Sequence, residues 1–108
     1  MNHPNLLEFA KSTAKEAGKI LMKHFGKISS TEHKSTDIDL ITIADTESEA
    51  FILNKIKTSF PEHHIIAEES DLIEGSSHYR WVIDPLDGTT NFVHSLPIFA
   101  VSMGLQYN

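Results

Sequence analysis

One stretch decides the interpretation of this 108-residue chain: Trp81-Val82-Ile83-Asp84-Pro85-Leu86-Asp87-Gly88-Thr89-Thr90-Asn91-Phe92-Val93-His94. Its apolar, β-branched start predicts a buried strand that ends on the acid Asp84. The proline at position 85 fixes its own φ and stiffens the turn that follows. The stiffened turn lets Asp84, the main-chain carbonyl of Leu86 and Asp87 face inward around a metal ion.

The second half of this stretch predicts an anion site. Gly88 permits close approach of the backbone to a ligand. If Thr89, Thr90 and Asn91 open a helical turn, their N–H groups form a cradle for phosphate. Metal ligands beside a phosphate cradle are the parts that metal-assisted phosphoester hydrolysis needs. Taken alone, an Asp-Pro-x-Asp-Gly sequence is more often a plain surface turn, so the rest of the chain has to support the interpretation.

Two other acidic positions follow short apolar runs. Residues 40–44 predict a strand that ends at Asp45, and residues 64–67 predict one that ends at Glu68 and Glu69. The strand ends of α/β proteins form the crevice in which ligands bind. Two carboxylates about 4 Å apart repel by about 4 kcal/mol at an effective dielectric of about 20, so converging acids need a cation. Oxygen ligands without convergent histidine or cysteine predict Mg²⁺.

Helical patterns flank these runs. Residues 5–25 predict a helix that ends near Gly26, residues 29–39 predict a loop, and residues 98–105 predict a last strand. A second helix is expected to begin at Thr46, in a capping box with Glu49, and to continue to Pro61. The resulting order α-β-α-β-β-β indicates an α/β layered fold. The apolar face of the first helix is predicted to hold Leu7, Ala10, Ala14, Ala17 and Leu21.

The composition excludes several classes of function. The chain has no cysteine, which excludes disulfides, zinc–thiolate sites and cysteine nucleophiles. Its formal net charge is −6 and its basic residues do not cluster, so we expect no nucleic-acid partner. The sequence has neither a signal peptide nor an apolar run for a membrane span, which predicts a soluble cytoplasmic protein. We expect His63 and His64 in surface or loop roles, His94 as a loop-positioning residue, and Trp81 in the core.

The quoted stretch resembles the first hallmark segment of the inositol monophosphatase family. The blocks 67–70 and 39–45 resemble two further family segments in the same order, so the resemblance covers essentially the whole chain. It implies that residues 1–108 are the amino-terminal, metal-binding portion of a single domain, a layered αβαβα sandwich of the sugar-phosphatase type. The family chain is more than twice as long. Its second half, absent here, supplies a further aspartate ligand in a Trp-Asp segment.

The resemblance also implies roles for individual residues. Glu68, Asp84 and the carbonyl of Leu86 would hold the first Mg²⁺; Asp84 and Asp87 would hold a second, and Glu68 would assist a third through waters. The water-activating pair would be Asp45 and Thr89. Lys34 aligns with a loop lysine near the family's active site. The substrate would be contacted by Glu68, Asp87, Gly88 and Thr89.

The implied reaction is in-line attack of an activated water on an inositol monophosphate, with inhibition by lithium and a homodimeric complete protein. The continuation 90–94 favours this branch over sister branches that hydrolyse fructose 1,6-bisphosphate or bisphosphate nucleotides. A non-catalytic partner-binding module is the alternative from another class. Because the second-half aspartate is missing, we expect residues 1–108 on their own to have little or no phosphatase activity.

Overall fold

The structure is a computed structural model that describes residues 5–25, 34–67, 73–88 and 100–107, with side chains of the second helix described from position 43 onward. Within these residues lie the helices α1 (Asn5–His24) and α2 (Lys34–Ser59) and the strands β1 (His64–Ala67), β2 (Tyr79–Asp87) and β3 (Ala100–Tyr107). The strands form one sheet in the order β1-β2-β3, with β1 parallel and β3 antiparallel to β2. Helices combined with a mixed sheet confirm the α/β (α+β) class.

The buried face of α1 contains Ala17 and Leu21 as predicted, but Leu6 takes the place predicted for Leu7. Thr13, Ala17 and Leu21 are buried at four-residue spacing, as a helix that packs along one stripe requires. Leu7 was predicted on this face, but it is 66% exposed. The reason is rotational: Leu6 is packed against the core, and the next residue along a helix points about 100° away from it.

The α2 helix corrects three predictions at once. Residues 34–59 form one continuous helix, so position 34 is helical rather than in a loop, 40–44 is not a strand, and the helix does not begin at Thr46. The buried residues Ala44, Ser48, Ile52 and Ile56 recur every four positions. The stripe continues on both sides of Asp45, where the sequence predicted the strand to end. Packing along the stripe overrides the weak strand preference of a short β-branched run. The predicted end of the helix before Pro61 is confirmed.

Strand β2 is longer than predicted. It continues past Asp84 to Asp87, where the sequence predicted a turn. Asp84 pairs with Ser102 and Asp87 pairs with Ala100, so two residues of β2 lie opposite one residue of β3. This irregularity is a β-bulge, and it accommodates Pro85 because proline cannot donate to a regular strand ladder. Strand β1 is confirmed at 64–67, and β3 begins at Ala100 within a predicted range whose first two residues lie outside the described ones.

Helix α2 and the sheet enclose the core around Trp81, which is 1% exposed and confirms the predicted core role. The Trp81 indole Nε1 donates a hydrogen bond to Nδ1 of His63 at 2.9 Å, and the His63 ring stacks on Phe60. The His64 ring donates from Nε2 to the Ser77 carbonyl at 2.9 Å. Both histidines are half-buried parts of the packing rather than open surface groups. No helix in the described stretches is long and apolar enough to cross a bilayer.

Candidate metal centre

The bulge at the end of β2 carries two acids. Asp84 is half-buried and Asp87 is exposed, three positions further along the same strand. One oxygen of Asp84, Oδ1, accepts a hydrogen bond from the Leu86 main-chain N–H at 3.3 Å. Among the described residues, neither acid forms an ion pair, since the pairs in this part of the chain involve other acids. Two carboxylates without an ion-pair partner among the described residues fit a hard cation such as Mg²⁺.

The bulge is anchored to the core through its middle residues. Pro85 is buried, and Leu86 is 5% exposed and packs in a cluster with Leu21 and Ala44. At the end of the strand, Gly88 has a φ of 91°. This left-handed conformation is strained for residues that carry a Cβ, so glycine is required where the chain leaves β2. The two acids therefore flank the buried residues Pro85 and Leu86, and the positive φ of Gly88 follows directly after the second acid.

Helix α2 packs directly on this bulge. Ala44 is fully buried in the cluster that contains Leu86. One helical turn later, the Ser48 hydroxyl donates a hydrogen bond to the main-chain carbonyl of Pro85 at 2.9 Å. Asp45, half-buried, lies on the helix between these two contacts. The residue with the predicted water-activating role therefore belongs to the helical turn that touches the acid-bearing bulge, although this turn is helix rather than strand end.

Strand β1 approaches the same edge of the sheet. It runs parallel to β2, and its last residue, Ala67, pairs with Ile83. The residue before Glu68 is therefore the direct partner of the residue before Asp84.

Several predicted site residues lie outside the described ones, namely Glu68, Thr89, Thr90, Asn91 and His94. The Lys34 side chain also lies outside them. Across residues 5–25, 34–67, 73–88 and 100–107, no group of three or more histidine, cysteine, aspartate or glutamate side chains is arranged to hold a metal ion. Asp45, Asp84 and Asp87 therefore do not make such a group by themselves. The predicted three-carboxylate arrangement requires Glu68, and it stays a prediction.

Sequence reasoning missed a polar contact between the two helices beside this centre. Both oxygens of the Glu47 carboxylate are engaged, one by Lys23 Nζ at 2.9 Å and the other by His24 Nε2 at 2.8 Å. The hydrogen bonds from Lys23 and His24 hold the pKa of the Glu47 carboxyl below its ordinary value. The contact joins the end of α1 to α2 two residues beyond Asp45. No local sequence pattern predicts contacts between residues 23 or 24 positions apart, because only the fold brings the two helices together.

Ser48 was also missed, although its position carried a usable signal. It is a polar residue inside an apolar stripe at four-residue spacing, between Ala44 and Ile52. A buried hydroxyl needs a hydrogen-bond partner, so such a position indicates a specific acceptor on the element packed against the helix. The acceptor is the Pro85 carbonyl.

Taken together, the helices packed on a mixed sheet are consistent with part of an α/β fold of the sugar-phosphatase type. The sequence model of the inositol monophosphatase family matches residues 2–108. The chain belongs to the inositol monophosphatase family. Members of this family are phosphatases that generally depend on a metal ion.

Individual relatives agree with this assignment. The chain is 47% identical over 109 residues to the Nus factor SuhB of Vibrio cholerae, covering 97% of this chain and 40% of that protein. It is 40% identical over 105 residues to the fructose-1,6-bisphosphatase/inositol-1-monophosphatase of Aquifex aeolicus, covering 96% of this chain and 40% of that protein. The solved inositol monophosphatase of Anabaena superimposes with a TM-score of 0.78 at 39% identity, covering 99% of this chain and 37% of that one. The chain thus spans about two fifths of the length of these relatives.

Proposed function

We propose that the protein carrying this chain hydrolyses a phosphate monoester with the help of Mg²⁺, and that inositol monophosphate is its substrate. The observation that supports this most is the pairing of Ala67 with Ile83 in parallel strands. These two residues immediately precede Glu68 and Asp84, and the carboxyl ends of parallel strands open on one edge of a sheet, where α/β proteins bind ligands. The bulge adds Asp87 beside Asp84 on the same strand.

In this proposal the protein's own groups divide the work. Glu68, Asp84 and the Leu86 carbonyl would hold one Mg²⁺, and Asp84 and Asp87 would hold a second. When bound, Mg²⁺ supplies the positive charge that lowers the pKa of a water molecule and stabilises the leaving alkoxide. No phospho-enzyme is formed.

The remaining residues orient the reactants. Asp45 and Thr89 would orient the attacking water, and the Asp45 carboxylate would accept its proton, which is the general-base part of the reaction. The main-chain N–H groups of Gly88 and Thr89 grip the phosphate. Glu68 would assist a third Mg²⁺ through waters and would also contact the substrate, and Asp87 would accept a hydrogen bond from a substrate hydroxyl.

The choice of substrate is testable by ranking. We expect kcat/KM for inositol 1-phosphate to exceed that for fructose 1,6-bisphosphate by about tenfold or more, because residues 90–94 follow the inositol monophosphatase version of the segment. The measurement is phosphate release by the complete gene product at saturating Mg²⁺, with Asp84→Asn protein prepared in parallel as the control for contaminating phosphatases. A ranking with fructose 1,6-bisphosphate first would assign the protein to a sister branch.

A partner-binding module is the second candidate, because one relative, from Vibrio cholerae, is named a Nus factor. Asp84 and Asp87 have no ion-pair partner among the described residues, and they favour the enzyme because such a pair of carboxylates fits a divalent cation. Isothermal titration with Mg²⁺ separates the two candidates. Metal binding supports the phosphatase, and a protein that binds a partner but no Mg²⁺ is the module.

The proposal has further parts. The protein acts in the cytoplasm as a homodimer and is inhibited by lithium, which competes at a Mg²⁺ position. Residues 1–108 form the amino-terminal portion of a single domain. On their own they have little or no phosphatase activity, because the second metal position draws on an aspartate outside them.

A further inference from the structure

The most deeply buried polar side chain among the described residues, Ser48, contacts the segment that carries the candidate metal ligands. Ser48 lies in α2 and is 0% exposed. Its hydroxyl donates to the Pro85 main-chain carbonyl at 2.9 Å, across the interface between helix and sheet. This contact joins residues that are 37 positions apart in the sequence.

The Pro85 carbonyl lies where the strand ladder is interrupted. The regular pairing of β2 with β3 stops at Asp84 and resumes at Asp87, which leaves Pro85 and Leu86 inside the bulge. On the other side of β2, the described pairing with β1 runs as far as Ala67 and Ile83. A buried carbonyl without a partner is costly, and at this point the Ser48 hydroxyl provides the Pro85 carbonyl with a hydrogen-bond partner.

The bond also controls the orientation of the bulge. A peptide unit is planar, so holding the Pro85 oxygen fixes the plane that links Pro85 to Leu86, between the two acids of the candidate site. Ser48 follows Asp45 by three residues, which places them on neighbouring positions of one helical turn. One turn of α2 therefore carries both the proposed water-activating carboxylate and the anchor of the proposed metal-binding segment.

We propose that Ser48 is a positioning residue that sets the relative placement of Asp45 and the Asp84–Asp87 bulge, and thereby tunes Mg²⁺ affinity and the chemical step. This inference rests on the proposed function. It gives the α2 helix a role beyond packing, because the distance between two parts of the catalytic machinery depends on one buried hydrogen bond.

The test is the Ser48→Ala variant of the complete gene product. Removing a group that orients a metal ligand without touching the metal typically weakens metal affinity by about 10–100-fold. We therefore expect isothermal titration to show that Mg²⁺ binds about tenfold more weakly. We also expect kcat at saturating Mg²⁺ to fall by about tenfold with KM little changed, because Asp45 and the bulge are no longer held in register. Loss of stability alone would alter neither quantity in the folded protein.

A matched control separates positioning from packing. Thr13→Val removes the other hydroxyl that is buried among the described residues, 2% exposed and on α1, and should leave Mg²⁺ affinity unchanged. Ser48→Cys keeps a side chain of similar size but only a weak donor, and should give intermediate affinity. If Ser48→Ala protein does not fold, the Mg²⁺ affinity of Ser48→Cys protein tests the proposal in its place.

Three outcomes would overturn the inference. Folded Ser48→Ala protein with Mg²⁺ affinity and kcat within about twofold of the parent would show that Ser48 positions nothing that matters to metal or catalysis. An equal loss of Mg²⁺ affinity in Thr13→Val would assign the effect to general packing. A parent protein that binds no Mg²⁺ would overturn the proposed function and, with it, the role of Ser48. In the first two outcomes the parent protein binds Mg²⁺, so they would overturn the role of Ser48 alone.

Discussion

Replacing Asp84 by asparagine is expected to abolish both Mg²⁺ binding and phosphatase activity in the complete gene product. Asp84 is half-buried, and its Oδ1 accepts the Leu86 N–H at 3.3 Å, a bond that an asparagine side-chain oxygen can also accept. The variant therefore keeps the local shape and loses the negative charge that the proposal shares between two metal positions. Removing an electrostatic stabiliser of this kind typically costs about 10²–10³ in kcat, and a shared ligand should cost at least as much.

The measurement combines isothermal titration with Mg²⁺ and phosphate release from inositol 1-phosphate. Glu74→Gln is the matched control, because it also removes one negative charge, from an exposed residue outside the bulge. This control should behave like the parent. If Asp84→Asn retained activity within about tenfold at saturating Mg²⁺, the assignment of Asp84 as a metal ligand would be wrong.

The second large effect is expected at Gly75, where the chain passes against the backbone that leads into β1. A Cβ at this position would overlap the Glu62 carbonyl oxygen and lie 2.7 Å from the Glu62 carbonyl carbon and 2.9 Å from that of His63. These are backbone atoms, so no side chain can move aside. Gly75→Ala should therefore destabilise the protein by roughly 2–4 kcal/mol, at the upper end of the cost of overpacking.

The cost has a structural origin beyond the clash. The Gly75 N–H donates to Nδ1 of His64 at 3.0 Å, and the next two N–H groups, of Ser76 and Ser77, donate to the Glu62 carbonyl at 3.0 and 2.9 Å. Making room for a methyl group would pull this whole set of bonds apart. The segment that leads into β2 would then lose these three bonds to Glu62 and His64, so the effect of one methyl group extends to the start of β1.

Thermal unfolding tests this with the same substitution at two glycines. Gly75→Ala should lower Tm by at least about 5 °C. Gly18→Ala is the control, because nothing lies within 4 Å of the added methyl group in the middle of α1. Alanine is favoured over glycine inside a helix by about 1 kcal/mol, so that variant should be unchanged or more stable. Equal Tm values for Gly75→Ala and the parent would contradict the described packing of this loop.

The sequence predicted the sheet better than it predicted the helix beside it. Strand β1 and the buried Trp81 followed from apolar, β-branched runs bounded by polar residues, a local signal that burial reinforces. Residues 40–44 carried the same local signal and form helix instead. The four-residue spacing of Ala44, Ser48 and Ile52 shows why: the stripe that packs on the sheet needs helical geometry, and a run of five residues does not reveal it.

The metal-binding role of Asp84 and Asp87 follows from residue chemistry and from the family resemblance, and it stays a prediction. Gly88 was predicted to permit close approach of the backbone to a ligand, and the structure adds a positive φ of 91° that the sequence did not predict. A proline between two acids indicated a turn, and the structure has a bulge, because β3 continues to pair on both sides of it. The four-residue spacing around Ser48 indicates that its hydroxyl needs a buried acceptor, but only the way α2 crosses the sheet makes the Pro85 carbonyl that acceptor.

The central claim is that this chain is the amino-terminal, metal-binding portion of a Mg²⁺-dependent phosphatase. The most direct measurement is the metal dependence of phosphate release. The complete gene product is stripped with EDTA, and its hydrolysis of inositol 1-phosphate is followed as Mg²⁺ is added back. We predict no detectable turnover without metal, a saturable rise with Mg²⁺, and no rise in Asp84→Asn protein. Turnover that is the same before and after metal removal would contradict the account.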